Sequence, residues 1–325
     1  MSAHFPEDVA TASTLLAGDE TVVIRAGGTD LQERWGGRLP LATGLVDLTR
    51  VHGLREIRTE AGGTRIGAMV TVAKVARELA TTYPALSLAA AGLATPQIRG
   101  VATVGGNLLQ HTRCPYARHR DLDCYKTGGQ GCPAREGEHS TGVLFDTSAC
   151  VHPHPSSLAM ALLLFGATFT TTGSGEAQPV GDLYDDDPRR EHRLEGGHIL
   201  TEVRLPPPVG GETGGYVRAI SRFEAEWPLA EAAARIVLRD GRISEARVAV
   251  GGVAPTPLLL EAVASALRGE RLEEATIAAA SARAVEGMAP LPGTAYKADL
   301  LIGCVADALR RAAGSPRHGR ADSDS

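Results

Sequence analysis

The hydrophobic positions of this chain fall into short β-branched runs and longer Ala-rich runs, which predicts strands and helices interleaved along its length. Residues 22–25, Val-Val-Ile-Arg, predict a strand that runs straight into Ala26-Gly27-Gly28-Thr29-Asp30-Leu31. Before it, residues 5–17 predict a short helix with Pro6 near its start, and after it 31–39 predict a helix carrying Trp35. Residues 44–48 predict a strand, and 54–59 and 63–66 a pair of strands joined at Glu60-Ala61-Gly62-Gly63. Thr71 stands as an N-cap ahead of a helix over 72–80, and a second, Ala-rich helix over 86–93 leads to Thr95-Pro96.

Further along, 157–167 has the spacing of a buried helix, 168–172 is a β-branched strand, and 179–187 reads as an acidic surface segment. A strand over 199–205 is closed by Pro206-Pro207-Pro208, with Gly210 and Gly211 behind it, which marks a domain boundary. Beyond it, 216–222 predict a strand, and 228–239 begin helix-like and end with strand alternation. Asp240-Gly241 is a hairpin turn into a strand over 243–251. Helices are expected over 258–267, 272–285 and 300–313, and the polar tail from Ser315 is expected to be disordered. The division is thus 1–209, a smaller α+β domain over 210–314, and a tail over 315–325.

With 325 residues the chain is long enough for two cores. The formal net charge of −5, without a basic block, gives no reason to expect nucleic-acid binding. No window of about 18 uncharged apolar residues would span a membrane. The N-terminal residues lack a charged-then-apolar signal pattern, so a cytoplasmic location is expected, with co-export beside a signal-bearing partner left open. Of five cysteines, Cys114, Cys124, Cys132 and Cys150 cluster in one loop rich in Gly, Pro, Arg, Asp and His. Without a signal peptide such clustering points to metal or redox chemistry rather than disulfides. Cys304 lies in an apolar helix and reads as a core residue.

Two small-residue turns carry candidate chemistry. A strand ending in Gly27-Gly28-Thr29 leaves backbone amides unpaired beside a hydroxyl, the outline of a diphosphate cradle, and Thr103-Val104-Gly105-Gly106-Asn107 offers a second. Neither fits the dinucleotide fingerprint or the P-loop, and a Gly-Gly-Asn turn alone is most often a plain surface turn. Asp30 is expected to cap the following helix with its side chain turned away from a phosphate. The cysteine spacing C-x9-C-x7-C-x17-C matches neither zinc ribbons nor ferredoxins. Spacing alone therefore leaves an iron–sulfur cluster, zinc and buried free thiols open. His111, His119, His139, His152 and His154 flank the loop and are expected to be solvated, apart from a positional His154. No catalytic triad or carboxylate pair stands out, so no catalytic residue is expected.

Taken together, RAGGTDL (25–31), ATPQIRGVATVGGNL (94–108), HPSSLAMALLLFGA (154–167) and RVAVGGVAP (247–255), in this order, resemble the flavoprotein subunit of the molybdenum hydroxylases. This is the medium-subunit family of xanthine dehydrogenase and carbon monoxide dehydrogenase. The cysteine loop resembles the aldehyde-oxidoreductase branch, whose FAD subunit also carries a [4Fe-4S] cluster. The resemblance implies an α+β fold: a PCMH-type FAD-binding domain of two α/β lobes, then a smaller C-terminal domain of the carbon monoxide dehydrogenase flavoprotein type. It implies FAD held by Arg25, Ala26, Gly27, Gly28, Thr29, Asp30 and Leu31 and by Thr103, Val104, Gly105, Gly106 and Asn107. Ser157 stands where the family has a carboxylate facing the adenosine half, Arg218 where it often has a lysine near the flavin, and Leu200 where a residue packs on the flavin.

The resemblance also implies that Cys114, Cys124, Cys132 and Cys150 ligate a [4Fe-4S] cluster, with Gly128, Gly129 and Gly131 shaping the loop and Arg113, Arg118, Arg120 and Lys126 offsetting its charge. The expected partners are a large molybdenum-cofactor subunit, where substrate is oxidised, a small [2Fe-2S] subunit, and an external electron acceptor. No nucleic acid or membrane partner is expected. Two other readings stay open at this level: a free-standing PCMH-type flavin oxidase, which needs its own pocket and base, and a zinc-binding assembly scaffold.

Overall fold

The computed structural model describes residues 2–19, 21–36, 42–119 and 121–314. The tail expected over 315–325, the far end of the helix expected over 31–39, and Arg120 lie outside the described residues.

The first lobe runs β1 (Ser2–His4), α1 (Val9–Ala17), β2 (Val22–Arg25), α2 (Leu31–Gly36) and β3 (Gly44–Asp47). Its three strands pair in parallel in the order β1-β3-β2. Asp8, not the segment around Pro6, starts α1: its carboxylate accepts from the Thr11 amide at 2.8 Å, satisfying an otherwise orphaned donor.

The second lobe holds β4 (Ile57–Glu60), β5 (Gly63–Gly67), α3 (Val72–Glu78), α4 (Pro84–Ala91), α5 (Pro96–Val101) and α6 (Val104–Leu108). The cysteine loop follows, with α7 (Pro133–Glu136), and then α8 (Ser157–Leu163), β6 (Thr168–Thr171), β7 (Gln178–Pro179) and β8 (Leu200–Leu205). Strand order is β4-β5-β8-β6-β7. Thr71 caps α3 as expected, accepting from the Lys74 amide. The segment over 179–187 is a surface element only in part: Pro179, Gly181, Asp182 and Asp186 are exposed, while Val180 and Leu183 are each 1 % exposed and anchor it to the core.

The third unit is β9 (Glu212–Ala219), β10 (Ala230–Arg239), β11 (Arg242–Gly251), β12 (Leu258–Leu259), α9 (Glu261–Leu267), α10 (Glu274–Ala282) and α11 (Lys297–Ala312). Its sheet is antiparallel, β12-β11-β10-β9. β10 is strand throughout, although its Ala-rich start reads as helix. It is flanked on both edges, with Ala232 opposite Val217 on one side and Val250 on the other, and its first eight residues are buried. Small residues suit a central strand pressed between α11 and the neighbouring lobe, so packing overrides propensity.

The core of the second lobe extends into the third unit through Tyr216, Ala233 and Ala249, so the two share a packed face. Tyr83 ties that face to the proline linker by donating to the Pro206 carbonyl at 2.7 Å.

Candidate functional site

Two cavities meet at the first Gly-Gly turn. Gly27 lies so close to the second lobe that a Cβ there would sit 2.0 Å from the Val101 carbonyl oxygen, and Gly28 has φ 75°. Only glycine allows both the approach and the left-handed backbone. The amides of Gly27, Gly28 and Thr29 find no protein acceptor among the described residues. The larger cavity, about 400 Å³, is lined by residues 26–31, Thr103, Gly105, Gly106, His111, His192 and Leu200. The smaller, about 160 Å³, shares Thr29, Asp30, Gly106 and Gln110 with it and adds Asn107, Arg113, Arg218 and Trp227. Two cavities joined at a turn of bare amides suit a long ligand with a diphosphate in its middle.

The second turn differs from expectation. It is a one-turn helix, α6, with Thr103 as its N-cap. The Val104 amide donates to Val70, the Gly105 amide to Ala68, the Asn107 amide to Thr103, and the Gly106 amide to the Thr103 hydroxyl. Its donors are engaged within the protein, because α6 is stitched to the chain leaving β5. The turn gives the cavity a bare glycine wall rather than amides.

Asp30 does not turn away to cap α2. Its carboxylate accepts from the His111 amide at 3.1 Å, meets His111 Nδ1 at 3.2 Å, and pairs with Arg118 at 2.9 Å and Arg113 at 3.1 Å. Burial alone would raise its pKa. The His111 hydrogen bonds and the Arg113 charge outweigh burial and hold the carboxyl well below the usual carboxylate range.

The cysteine loop begins at this hub. Cys114 and Cys124 pack together with Ala117, and the Cys150 thiol is hydrogen-bonded to Cys132. Cys114 and Cys124 also interact electrostatically with Cys132. Backbone amides face the sulfurs: Tyr116 and Ala117 towards Cys114, Lys126 towards Cys124, Ala134, Arg135 and Val151 towards Cys132, and His152 towards Cys150. Sharing one proton, the Cys132–Cys150 pair has Cys132 lowered and Cys150 raised. Among the described residues, no group of three or more His, Cys, Asp or Glu side chains is spaced to hold a single metal ion. All five cysteines are free thiols, and Cys304 is buried in α11 as expected.

Arg113 and Arg118 are turned on carboxylates rather than on the sulfurs, whereas the Lys126 charge favours the thiolates of Cys124 and Cys150. Arg113 and Arg118 pair with Asp30 and Glu33, and Lys126 with Glu191 at 3.2 Å. The flanking histidines are not all solvated: burial lowers His152 to about 4 and His154 to about 3, so both are neutral.

Three expected cofactor residues line neither cavity. Arg25 is paired with the buried Asp47. Val104 is buried in the core. Ser157, at 1 % exposure, donates to Glu231 Oε1 at 2.9 Å on the face shared with the third unit. Leu200 lines the larger cavity and Arg218 the smaller, where Arg218 donates to the carbonyls of Gly92 and Glu226. Residues without a sequence signal complete the walls. His192, lowered to about 4 by burial, leaves Nδ1 without a partner beside the larger cavity. Trp227 closes the smaller one with its ring 4.4 Å from the Arg113 guanidinium.

Residues 1–208 match the family of FAD binding domains in molybdopterin dehydrogenases, and 215–312 match the carbon monoxide dehydrogenase flavoprotein C-terminal domain. The chain is 37 % identical over 248 residues to the aldehyde oxidoreductase FAD-binding subunit PaoB of Escherichia coli K12, covering 73 % of this chain and 76 % of that protein. It is 27 % identical over 293 residues to the carbon monoxide dehydrogenase medium chain of Afipia carboxidovorans, covering 88 % of this chain and 86 % of the relative. A solved Cu,Mo-CO dehydrogenase chain superposes with a TM-score of 0.75 at 24 % identity, covering 97 % of this chain and 98 % of the other. Both halves of the chain thus lead to one assignment: the protein belongs to the FAD-binding medium-subunit family of the molybdopterin dehydrogenases, an FAD-dependent oxidoreductase subunit.

Proposed function

We propose that this chain is the electron-transfer subunit of a molybdenum hydroxylase of the aldehyde-oxidoreductase type and holds both FAD and a [4Fe-4S] cluster. FAD spans the two cavities, with its diphosphate at the amides of Gly27, Gly28 and Thr29. Cys114, Cys124, Cys132 and Cys150 ligate the cluster. The observation that carries this reading is a loop of four free cysteines, Cys114 and Cys124 interacting with Cys132 and Cys132 paired with Cys150, under backbone amides that point at sulfur, fastened to the flavin turn through Asp30. Amides directed at thiolates stabilise a negatively charged cluster and tune its potential. FAD supplies two-electron chemistry and the cluster one-electron chemistry; the chain positions both and sets their potentials by hydrogen bonds and burial.

The partners in this reading are a large molybdenum-cofactor subunit, a small [2Fe-2S] subunit and an external acceptor, in an assembly located in the cytoplasm. Substrate oxidation belongs to the large subunit, which accounts for a site with cradles and cations but no nucleophile–base pair. The test is a visible spectrum of anaerobically purified protein with iron and acid-labile sulfide counted. Flavin bands, a broad shoulder near roughly 400 nm and about four irons per chain support the proposal. Flavin without iron removes the cluster. A colourless, zinc-containing protein removes both cofactors and leaves the scaffold reading.

A further inference from the structure

The smaller cavity holds an imbalance that its own protein contacts do not resolve. Arg113 and Arg218 both line it, Arg113 from the cysteine loop and Arg218 from β9. Each has its terminal nitrogens engaged: Arg113 with Asp30, Glu33 and Gln110, Arg218 with the carbonyls of Gly92 and Glu226. Each also has a buried Nε with no hydrogen-bond partner. A guanidinium N–H buried without an acceptor is costly, and two around one cavity mark a place for something that accepts. The cavity wall is also held in an unusual backbone conformation there. Ala94 has φ 43°, and Arg99 pins it by donating to the Leu93 and Ala94 carbonyls at 2.6 and 2.8 Å. Such strain in a non-glycine residue persists where the surroundings over-determine it, and it clusters at ligand sites.

Trp227 and the rings and stems around it make the cavity partly apolar, so an inserted flat ring is sheltered while its polar edge finds the arginines. We infer that Arg113 and Arg218 form a paired cationic donor set for the electron-rich edge of the flavin ring, holding the reduced, negatively charged form more tightly than the oxidised one. This rests on the proposed function and deepens it: the residue next to the cysteine at position 114 reaches the flavin cavity, so the loop that carries the cluster also sets the flavin's potential. Arg113 and Arg218 act here as direct donors to the flavin edge and through their charge; no covalent bond to the flavin is made or broken.

The test uses Arg113→Gln, Arg218→Gln and Arg118→Gln in protein purified as it assembles in the cell. Flavin content is counted, and the flavin potential is read from its absorbance during reductive titration against reference dyes. Arg118 shares the Asp30 ion pair but does not line the smaller cavity, so it controls for disturbance of the hub. The expected result is that Arg113→Gln and Arg218→Gln each weaken the preference for reduced flavin about tenfold, which for two electrons lowers the potential by about 30 mV. Arg118→Gln leaves the potential in place. Unchanged potentials in both cavity variants at full flavin content overturn the inference while leaving the flavin reading intact. An equal shift in Arg118→Gln also overturns it, because the effect would then belong to the hub. If Arg113→Gln does not fold, Arg218→Gln decides alone. Absence of flavin from the unsubstituted protein sinks the flavin reading, and the inference with it.

Discussion

The Asp30 carboxylate accepts a hydrogen bond from the backbone amide of His111 at 3.1 Å, joining the flavin turn to the start of the cysteine loop. Arg113 and Arg118, from that same loop, close on the carboxylate at 3.1 and 2.9 Å. One side chain thus sets the position of the turn that carries the bare amides and of the segment that carries Cys114.

Asp30→Asn removes the charge from this hub and leaves Arg113 and Arg118 short of a counter-ion in a part-buried site. The expected cost is about 3 kcal/mol, with loss of flavin during purification. The pH dependence has a defined sign. The folded-state pKa is depressed, so the stabilisation is complete above the unfolded aspartate value of about 4 and is lost as pH falls through the folded value. Parent protein should therefore lose stability from about pH 4 downward, and the variant should lack this part of the slope. Thermal unfolding and flavin release across the acid range check both.

Replacing Cys114, Cys124, Cys132 or Cys150 by Ser is expected to lower iron and sulfide content several-fold while flavin stays bound, because the cysteines are absent from the walls of both cavities. Cys304→Ser is the control. Its sulfur lies 3.6 Å from the Ala230 carbonyl inside α11's packing face, so iron is unchanged and stability falls by about 1 kcal/mol. Iron and flavin assays on the five variants decide. Iron retained in all four loop variants would remove the cluster assignment.

Lys297, 1 % exposed, donates to the carbonyls of Thr141 and Gly252, both at 3.0 Å, and so fastens the cysteine loop to the third unit. Burial lowers its pKa to about 7. Between about pH 7 and the unfolded value near 10.4 the unfolded chain binds the extra proton, so stability rises with pH in that window, by up to about 1.4 kcal/mol per pH unit. Below pH 7 both states hold the proton and the slope disappears. Lys297→Met lacks the titration, so its stability deficit relative to the parent should widen from pH 7 to pH 10. Denaturant midpoints at several pH values measure this.

The first Gly-Gly turn, the Thr71 N-cap and most of the order of elements were legible because each is local. Where reading failed, the deciding contact came from far along the chain. The start of β10 is strand because β9 and β11 flank it, which no Ala-rich window discloses. Asp30 faces the loop rather than α2 because Arg113 and Arg118 arrive from another segment. His192 lies between the segments to which the sequence gives a signal, and only the cavity gives its unpartnered Nδ1 a meaning. The amides of α6 looked free in sequence and are engaged by Ala68 and Val70.

Ser157 is the sharpest of these cases, and its substitution separates the two readings of it. Its hydroxyl donates to Glu231 Oε1 at 2.9 Å, while Tyr216 donates to Oε2 at 2.7 Å, and burial raises the pKa of Glu231. Ser157→Asp restores the carboxylate of the family pattern but sets it against a buried carboxyl. Two such groups cannot both ionise at contact, so one must hold a proton, and the longer side chain crowds a packed face. The expected cost is about 3 kcal/mol in thermal unfolding, with flavin per folded chain unchanged because the residue lines neither cavity. If Ser157 instead weakened an adenosine contact, the same substitution would tighten flavin binding at little cost. Flavin retention on dilution, measured beside the melting temperature, tells the two apart.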